Sequence, residues 1–127
     1  MSYFISELTA DTLVRSWMAA WNAHDVDQIV AHYHADVEYH SPFIAQLAGK
    51  AGTLHGRTVL REYVTAALER YPTLHFDPPT MVAAGDGSIA FVYRSVNDRI
   101  AIETLVVDEL GRIVRAHCHY RDTGNSD

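Results

Sequence analysis

The stretch from Trp17 to Phe43 constrains the fold of this chain more than any other part of the sequence. It begins inside a segment whose apolar residues recur at helical spacing, which predicts a first helix with one aromatic face. The residues of that face are Leu13, Trp17, Ala20 and Trp21. Residues 22–25 interrupt the spacing, so we expect the chain to turn sharply there.

A second helix and a strand are predicted to follow this turn. Asp25, with Gln28 three residues later, forms a capping box that starts a helix. After Asp36 the sequence alternates like a strand, and Pro42 ends it. Residues 44–55 contain two glycines and predict an irregular loop.

The remainder of the chain predicts one more helix and then only strands. We place helices at 9–23, 25–34 and 57–70, with Thr9 as the cap of the first and Pro72 ending the third. Strands are expected at 74–84, 88–96, 99–108 and 112–122, separated by turn-forming residues. Three helices followed by antiparallel strands predict an α+β domain whose helices cover one face of the sheet.

Composition limits the classes of function. A chain of 127 residues fits one domain, and we expect an N-terminal arm at 1–8, the domain at 9–122 and a flexible tail at 123–127. A net charge of −6 argues against nucleic-acid binding, which needs a basic surface. No apolar run or signal segment predicts a membrane location, and a single cysteine agrees with a cytoplasmic protein.

The order and lengths of these elements resemble the nuclear transport factor 2-like superfamily. Trp21 to Asp25 between two helices and Ser41-Pro42 after the strand carry the likeness, which is strongest to the SnoaL-like group. Relatives include polyketide cyclases, ketosteroid isomerase and limonene epoxide hydrolase. The resemblance implies a cone-shaped, cystatin-like α+β fold, with three N-terminal helices on a curved, mainly antiparallel sheet around a ligand cavity.

Strand pairing predicts which side chains face that cavity. A two-residue turn at Asn97-Asp98 and another at Glu109-Leu110 would set Val92 and Ala116 opposite Glu103. Cross-strand partners share a face, so one face is predicted to be the inner one. That face holds Ala90, Val92, Arg94, Ala101, Glu103, Leu105, Ala116, Cys118 and Tyr120. The other face holds Phe91, Tyr93, Ser95, Ile102, Thr104, Arg115, His117 and His119, and we expect it to form a homodimer.

Glu103 is the strongest candidate for chemistry because it lies in the middle of an apolar strand, where its carboxyl group would be desolvated. Arg94 on the same face would keep it ionised as a general base or as half of a structural ion pair. The resemblance to ketosteroid isomerase instead implies that Glu103 stands where that enzyme has a protonated acid, which donates a hydrogen bond. In that comparison Ser41 and Trp17 stand where the isomerase has its base and its tyrosine, so isomerase chemistry by that route is not expected.

Two sets of site residues follow. The predicted catalytic residues are Glu103 and Tyr120. The predicted ligand-binding residues are Trp17, Trp21, Tyr39, Ser41, Tyr63, Arg94, Ala116 and Cys118. No cofactor is expected. The alternation of His117 and His119, and of Glu38 and His40, is compatible with zinc, but we interpret these residues as polar groups of an outer sheet face and predict no metal site.

Three functions remain open at this point. The chain is predicted to bind a small hydrophobic molecule that carries oxygen and to act on it by cofactor-free acid–base catalysis, as a cyclase, isomerase, dehydratase or hydrolase. The alternatives are a protein that binds such a molecule without reaction and a dimeric assembly module. A Glu103 carboxyl group that reaches free cavity space would favour catalysis, whereas one fully occupied by Arg94 would favour binding alone.

Overall fold

A computed structural model of the protein describes residues 4–48 and 51–122, and the predicted tail lies outside them. The helices of these residues are α1 (Glu7–Asn22), α2 (Val26–Ala31), α3 (Pro42–Ala48) and α4 (Arg57–Arg70). The strands are β1 (Tyr33–His40), β2 (Thr53–His55), β3 (Met81–Ala84), β4 (Ser88–Arg94), β5 (Ile100–Val107) and β6 (Ile113–Arg121). The predicted α+β class is confirmed.

The first two helices begin where side chains cap them. The Ser6 hydroxyl, not Thr9, caps α1 by accepting a hydrogen bond from the Thr9 backbone N–H at 3.0 Å. The Asp25 carboxylate caps α2 as predicted and accepts from the Gln28 N–H at 3.1 Å. α2 ends before residue 34 because the backbone carbonyl of His32 instead accepts from Ile113 N–H, and the chain enters β1 at Tyr33.

A helix, α3, occupies part of the stretch predicted to be a loop. Pro42 takes its first position, where proline lacks only an N–H that a helix leaves unpaired. The Ser41 hydroxyl accepts from the Phe43 backbone N–H at 3.3 Å. Thus Pro42 ends the predicted strand and also begins a helix. The loop was predicted because two glycines follow in the sequence.

The strands form one sheet in the order β2-β1-β6-β5-β4-β3. The β1–β6 pair is parallel and the other pairs are antiparallel, so the sheet is mainly antiparallel as predicted. The predicted strand at 74–84 is regular only as β3, because Pro78 and Pro79 cannot supply the N–H groups of a ladder. No helix of the described residues is long and apolar enough to cross a membrane.

The β4–β5 turn differs from the prediction and reverses every side chain of β4. The Ser95 backbone N–H donates to the Arg99 carbonyl at 2.7 Å, so three residues rather than two make the turn. Phe91 therefore opposes Glu103, and the assignments of Ala90, Val92 and Arg94 to the inner face were wrong. Phe91, Tyr93 and Ser95 are buried, which corrects their assignment to the outer face.

The β5–β6 register is displaced by two residues, which preserves the face. The turn has three residues, since the Asp108 N–H donates to the Arg112 carbonyl at 2.9 Å, and this shifts the register by one residue. An irregularity in the pairing between Val106 and Val107 shifts it by one more. Glu103 opposes Cys118 instead of Ala116, and Ala101 opposes Tyr120. A shift of two residues leaves each side chain on its original side because side chains alternate with period two. Glu103, Ala116 and Cys118 are accordingly all buried, as expected.

Candidate active site

A pocket lies between the helices and the buried face of the sheet. The volume of this pocket that is open to the centre of a water molecule is about 30 Å³. It is lined by Trp17, Trp21, Tyr39, Phe43, Tyr63, Ala67, Tyr71, Leu74, Phe76, Tyr93, Ser95, Val96, Glu103 and Tyr120. Most of these side chains are aromatic or aliphatic, so the few polar groups stand in an apolar setting.

Trp17 organises the aromatic wall of this pocket. Its ring stacks on Phe76, with centroids 5.6 Å apart, and meets Tyr93 edge-on at 5.7 Å. Its indole N–H donates to the Tyr33 hydroxyl at 3.0 Å. Because that N–H is already satisfied, Trp17 contributes shape to the pocket rather than a free donor.

Glu103 projects from β5 into this wall and is 1% exposed. Its Oε1 accepts a hydrogen bond from the Tyr93 hydroxyl at 3.2 Å, whereas Oε2 has no partner. Burial raises the pKa of Glu103 to about 7, against the neighbouring Cys118 thiol and the Tyr93 hydroxyl, which lower it. The carboxyl group can therefore both release and accept a proton near neutral pH.

Two other pocket groups are left unpaired. Among the described residues, the buried side-chain atoms without a hydrogen-bond partner are Glu103 Oε2, Trp21 Nε1 and Ser95 Oγ. All three residues line the pocket. Buried polar atoms are nearly always paired, so three such atoms around one space indicate that water or a ligand completes them.

Three tyrosines of the pocket are neutral hydrogen-bonding groups. Burial raises the pKa of Tyr39, Tyr93 and Tyr120 well above the ordinary value, and the charge of Glu103 acts in the same direction. A phenol with a raised pKa is a poor base but remains a hydrogen-bond donor.

The structure brings several of the predicted site residues together. Six of them line the pocket: Trp17, Trp21, Tyr39, Tyr63, Glu103 and Tyr120. Ser41, Ala116 and Cys118 are buried but are not among the lining residues. Arg94 does not face Glu103, since it is exposed and pairs with Asp98 at 2.7 Å. The predicted ion pair between Arg94 and Glu103 is therefore wrong.

Other lining residues were missed by the sequence analysis. Tyr93 and Ser95 were lost with the β4 register, and Phe43 with α3. Leu74 and Phe76 come from the segment before β3, which is held by the Asn22 side chain. Its amide donates to the Phe76 carbonyl at 3.0 Å, and its oxygen accepts from the Phe76 N–H at 2.7 Å. No local sequence signal indicates this contact, because the two residues are 54 positions apart.

A surface groove adjoins the pocket and marks its entrance. The groove shares Tyr71, Leu74, Ser95 and Val96 with the pocket lining and continues to Asn97. Tyr71 and Val96 are half-buried. Ser95 thus stands where the groove meets the buried space. Within residues 4–48 and 51–122, the lining contains one carboxylate and no histidine, too few ligands to hold a metal ion.

Comparison with known proteins identifies a matching family and several similar structures. The family model for the SnoaL-like domain matches residues 14–126. The crystal structure of a SnoaL-like protein of unknown function from Burkholderia thailandensis is 37% identical, with a TM-score of 0.88 over 94% of this chain and all of that chain. The comparison with functionally curated proteins gives no match.

More distant structures share the fold. The epoxide hydrolase/cyclase-like enzyme SalBIII, of pyran ring formation in salinomycin, is 19% identical with a TM-score of 0.72, covering 93% of this chain and 95% of its own. A candidate ketosteroid isomerase from Kribbella flavida is 18% identical with a TM-score of 0.68, covering 90% of this chain and 78% of its own. At sequence identities this low, the likeness shows a shared fold alone.

Proposed function

This chain belongs to the SnoaL-like family, and we propose that it binds a small hydrophobic molecule bearing oxygen and acts on it by cofactor-free acid–base catalysis through Glu103. The observation that carries the proposal is the fully buried carboxyl group of Glu103, whose pKa is about 7 and whose Oε2 has no partner. A structural carboxylate at that depth would be expected to have both oxygens satisfied.

The chemistry follows from how the two oxygens differ. Oε1 is held by the Tyr93 hydroxyl, which fixes the orientation of the carboxyl group. Oε2 is the atom available to a ligand. In the ionised form it would remove a proton from a carbon or hydroxyl group of the ligand, and in the protonated form it would give one to a carbonyl or epoxide oxygen.

The other unpaired groups support an oxygen-bearing ligand. The Trp21 N–H can only donate, so it would bind a carbonyl, ether or hydroxyl oxygen. Ser95 Oγ can donate or accept at the entrance. Tyr120 lines the same space and would supply a further hydrogen bond through its neutral phenol. The rest of the lining is apolar and matches a hydrocarbon skeleton.

The space within the pocket limits the ligand. The pocket as it stands is far smaller than the roughly 300–1,000 Å³ typical of ligand sites. Only about 30 Å³ is open to water centres, so the half-buried side chains at the entrance must move to admit a guest. Tyr71, Val96 and Tyr120 are the half-buried members of the lining.

Binding without reaction is the second candidate. The lining holds one carboxylate, so a mechanism that needs a separate acid and base would lack one of them. The choice depends on whether Glu103 changes its protonation state on a bound ligand.

Ligand screening combined with one variant tests the proposal. Small ketones, enones, hydroxy compounds and epoxides would be screened by the fluorescence of Trp17 and Trp21, and those that bind would be tested for turnover. Glu103→Gln keeps the shape but removes the proton exchange, and we expect turnover to fall by about 10²–10⁴-fold while binding is retained. Exposed Glu109→Gln is the matched control and should change neither. Equal turnover by Glu103→Gln and the wild type would refute the catalytic role.

We also propose that the chain forms a cytoplasmic homodimer through the outer sheet face, corrected for the β4 register. An apolar row crosses that face from Met81 through Val92 to Ile102, which pair in turn across three strands. Met81 is 63% and Ile102 44% exposed. Ile102→Glu would introduce a charge into the contact, so sedimentation at micromolar concentration should show a dimer for the wild type and a monomer for the variant. A wild-type monomer would contradict the assembly.

A further inference from the structure

A cluster of metal-binding side chains lies on the outer face of the sheet, away from the pocket. Glu38 and His40 project from β1, and His117 projects from the adjacent strand β6. One ligand atom from each of the three residues lies within 4.8 Å of the others. Tyr39, between Glu38 and His40, points to the opposite face and lines the pocket.

The parallel pairing of β1 with β6 creates this cluster. His40 is paired with His117 and Glu38 with Arg115 in the register, so the two imidazoles stand side by side. Their rings are stacked, with centroids 4.1 Å apart and planes 6° from parallel. His40 Nε2 lies 2.7 Å from Glu38 Oε2. Strand pairing therefore brings together residues that are far apart in the sequence.

We propose that Glu38, His40 and His117 bind a divalent transition-metal ion, of which zinc fits the donor set best. Two imidazole nitrogens and one carboxylate oxygen are ligands that zinc accepts at about 2.0–2.2 Å, and three protein ligands leave a position for water. Calcium and magnesium prefer oxygen ligands alone, so this set disfavours them.

The surroundings of His40 are those of a metal ligand. Its Nδ1 lies 2.9 Å from the Thr53 hydroxyl on the neighbouring strand β2. A ring held at Nδ1 presents Nε2 outward, on the side of Glu38. Metal-binding histidines typically use their second nitrogen in this way, which fixes the orientation of the ring.

Two adjustments accompany binding. A metal ion lies in the plane of each imidazole that binds it, so one ring must turn out of the stack. Both side chains are only partly buried, which leaves room for that rotation. The Arg115 guanidinium lies 3.2 Å from Glu38 Oε2 and must release it. Arg115 therefore competes with the ion, and its own side chain is 55% exposed and free to move.

Zinc titration of the full chain by calorimetry tests the site. The wild type should bind one ion per chain, and His40→Ala, His117→Ala and Glu38→Gln should each weaken binding at least tenfold. Arg115→Ala removes the competing cation and should tighten binding severalfold. His119→Ala is the matched control, because His119 lies two residues along the same strand, is exposed and is outside the cluster.

Further results separate a specific site from scattered surface histidines. X-ray absorption of the zinc-loaded protein should show two imidazoles and one or two oxygens at about 2.0–2.2 Å. The proposal is overturned if His119→Ala weakens binding as much as His117→Ala, if Glu38→Gln and Arg115→Ala leave the affinity unchanged, or if one ion binds per two chains. Circular dichroism of each variant identifies any loss of fold, and Glu38→Gln, a change at a partly exposed position, remains informative if a histidine variant is unstable.

Discussion

The Tyr93 hydroxyl donates a hydrogen bond to Glu103 Oε1 across 3.2 Å, between two side chains that are each 1% exposed. The bond joins adjacent strands on the buried face, one step along from the direct Phe91–Glu103 pair. It leaves Oε2 without a partner and holds the carboxyl group in one orientation.

Tyr93→Phe should raise the pKa of Glu103. The hydroxyl stabilises the ionised carboxylate, so its loss favours the protonated form. A hydrogen bond to a charged group contributes about 1.5–3 kcal/mol, which predicts a rise of roughly one to two pH units. The measurement is carboxyl ¹³C NMR of labelled Glu103 across pH. Tyr71→Phe, at the pocket entrance, is the control and should leave that titration unchanged. A Glu103 pKa that stays the same in Tyr93→Phe would show that the hydroxyl does not act on the carboxylate.

The contribution of Glu103 to the stability of the wild type should fall as pH rises through the range from 4.5 to 7. The folded pKa of Glu103, about 7, exceeds its ordinary value of 4.5, so the folded state holds the proton more tightly than the unfolded state. The stabilising contribution is complete below pH 4.5 and is lost on ionisation, with a limit on the order of 3 kcal/mol.

Glu103→Gln isolates that contribution from those of the other titrating groups. Glutamine resembles the neutral acid and does not ionise, so the variant should gain stability relative to the wild type between pH 5 and pH 8. Urea unfolding of both proteins at several pH values gives the difference in the free energy of unfolding. A constant difference across pH would mean that the Glu103 pKa is not raised.

The inner position of Glu103 could be predicted from the sequence, whereas its partners could not. An isolated acid inside the apolar strand β5 marks a buried carboxyl group wherever the strand lies. Its cross-strand neighbours depend on turn length, and a change of one residue in the β4–β5 turn exchanges Arg94 for Tyr93. Asn97 and Asp98 have φ of 55° and 60°, a left-handed conformation that a two-residue hairpin turn would also use, so their residue types did not reveal the longer turn.

Helix starts were predictable where a capping side chain stands alone, as Asp25 does. The start of α1 was predicted at Thr9, whereas the cap is Ser6, whose hydroxyl bonds to both Thr9 N and Thr9 Oγ1. The pocket segment around Phe76 has no regular periodicity. Its position depends on Asn22, more than fifty residues earlier, and no local pattern contains such a contact.

Arg94→Ala should leave the pocket unchanged. The side chain forms an exposed pair with Asp98, four residues later, and such pairs contribute about 0.2–1 kcal/mol. We expect a loss of stability within that range and no change in ligand affinity or in the titration of Glu103. The same NMR titration and ligand-binding assays measure this. A marked rise of the Glu103 pKa in Arg94→Ala would show that Arg94 interacts with Glu103 in the wild type, contrary to the observed register.

Two buried serines give opposite predictions for stability. Ser95 is 7% exposed and its hydroxyl has no partner, whereas Ser41 is 3% exposed and its hydroxyl accepts from the Phe43 N–H at 3.3 Å. Ser95→Ala removes an unpaired polar group, so it should be neutral or stabilise the free protein by up to about 1–2 kcal/mol. Ser41→Ala removes the acceptor at the start of α3 and should cost about 0.5–2 kcal/mol.

Ligand affinity should change in the reverse order for these two variants. Ser95 Oγ lies in the pocket and would bond to the ligand, so Ser95→Ala should weaken binding by roughly three- to tenfold, the equivalent of one neutral hydrogen bond. Ser41→Ala should leave the affinity of the folded protein unchanged, since Ser41 is not among the lining residues. Urea unfolding and ligand titration of the same two samples provide both numbers. A Ser95→Ala variant that is destabilised and binds normally would mean that the hydroxyl serves the fold, and the unpaired atoms of the pocket would then no longer point to a ligand.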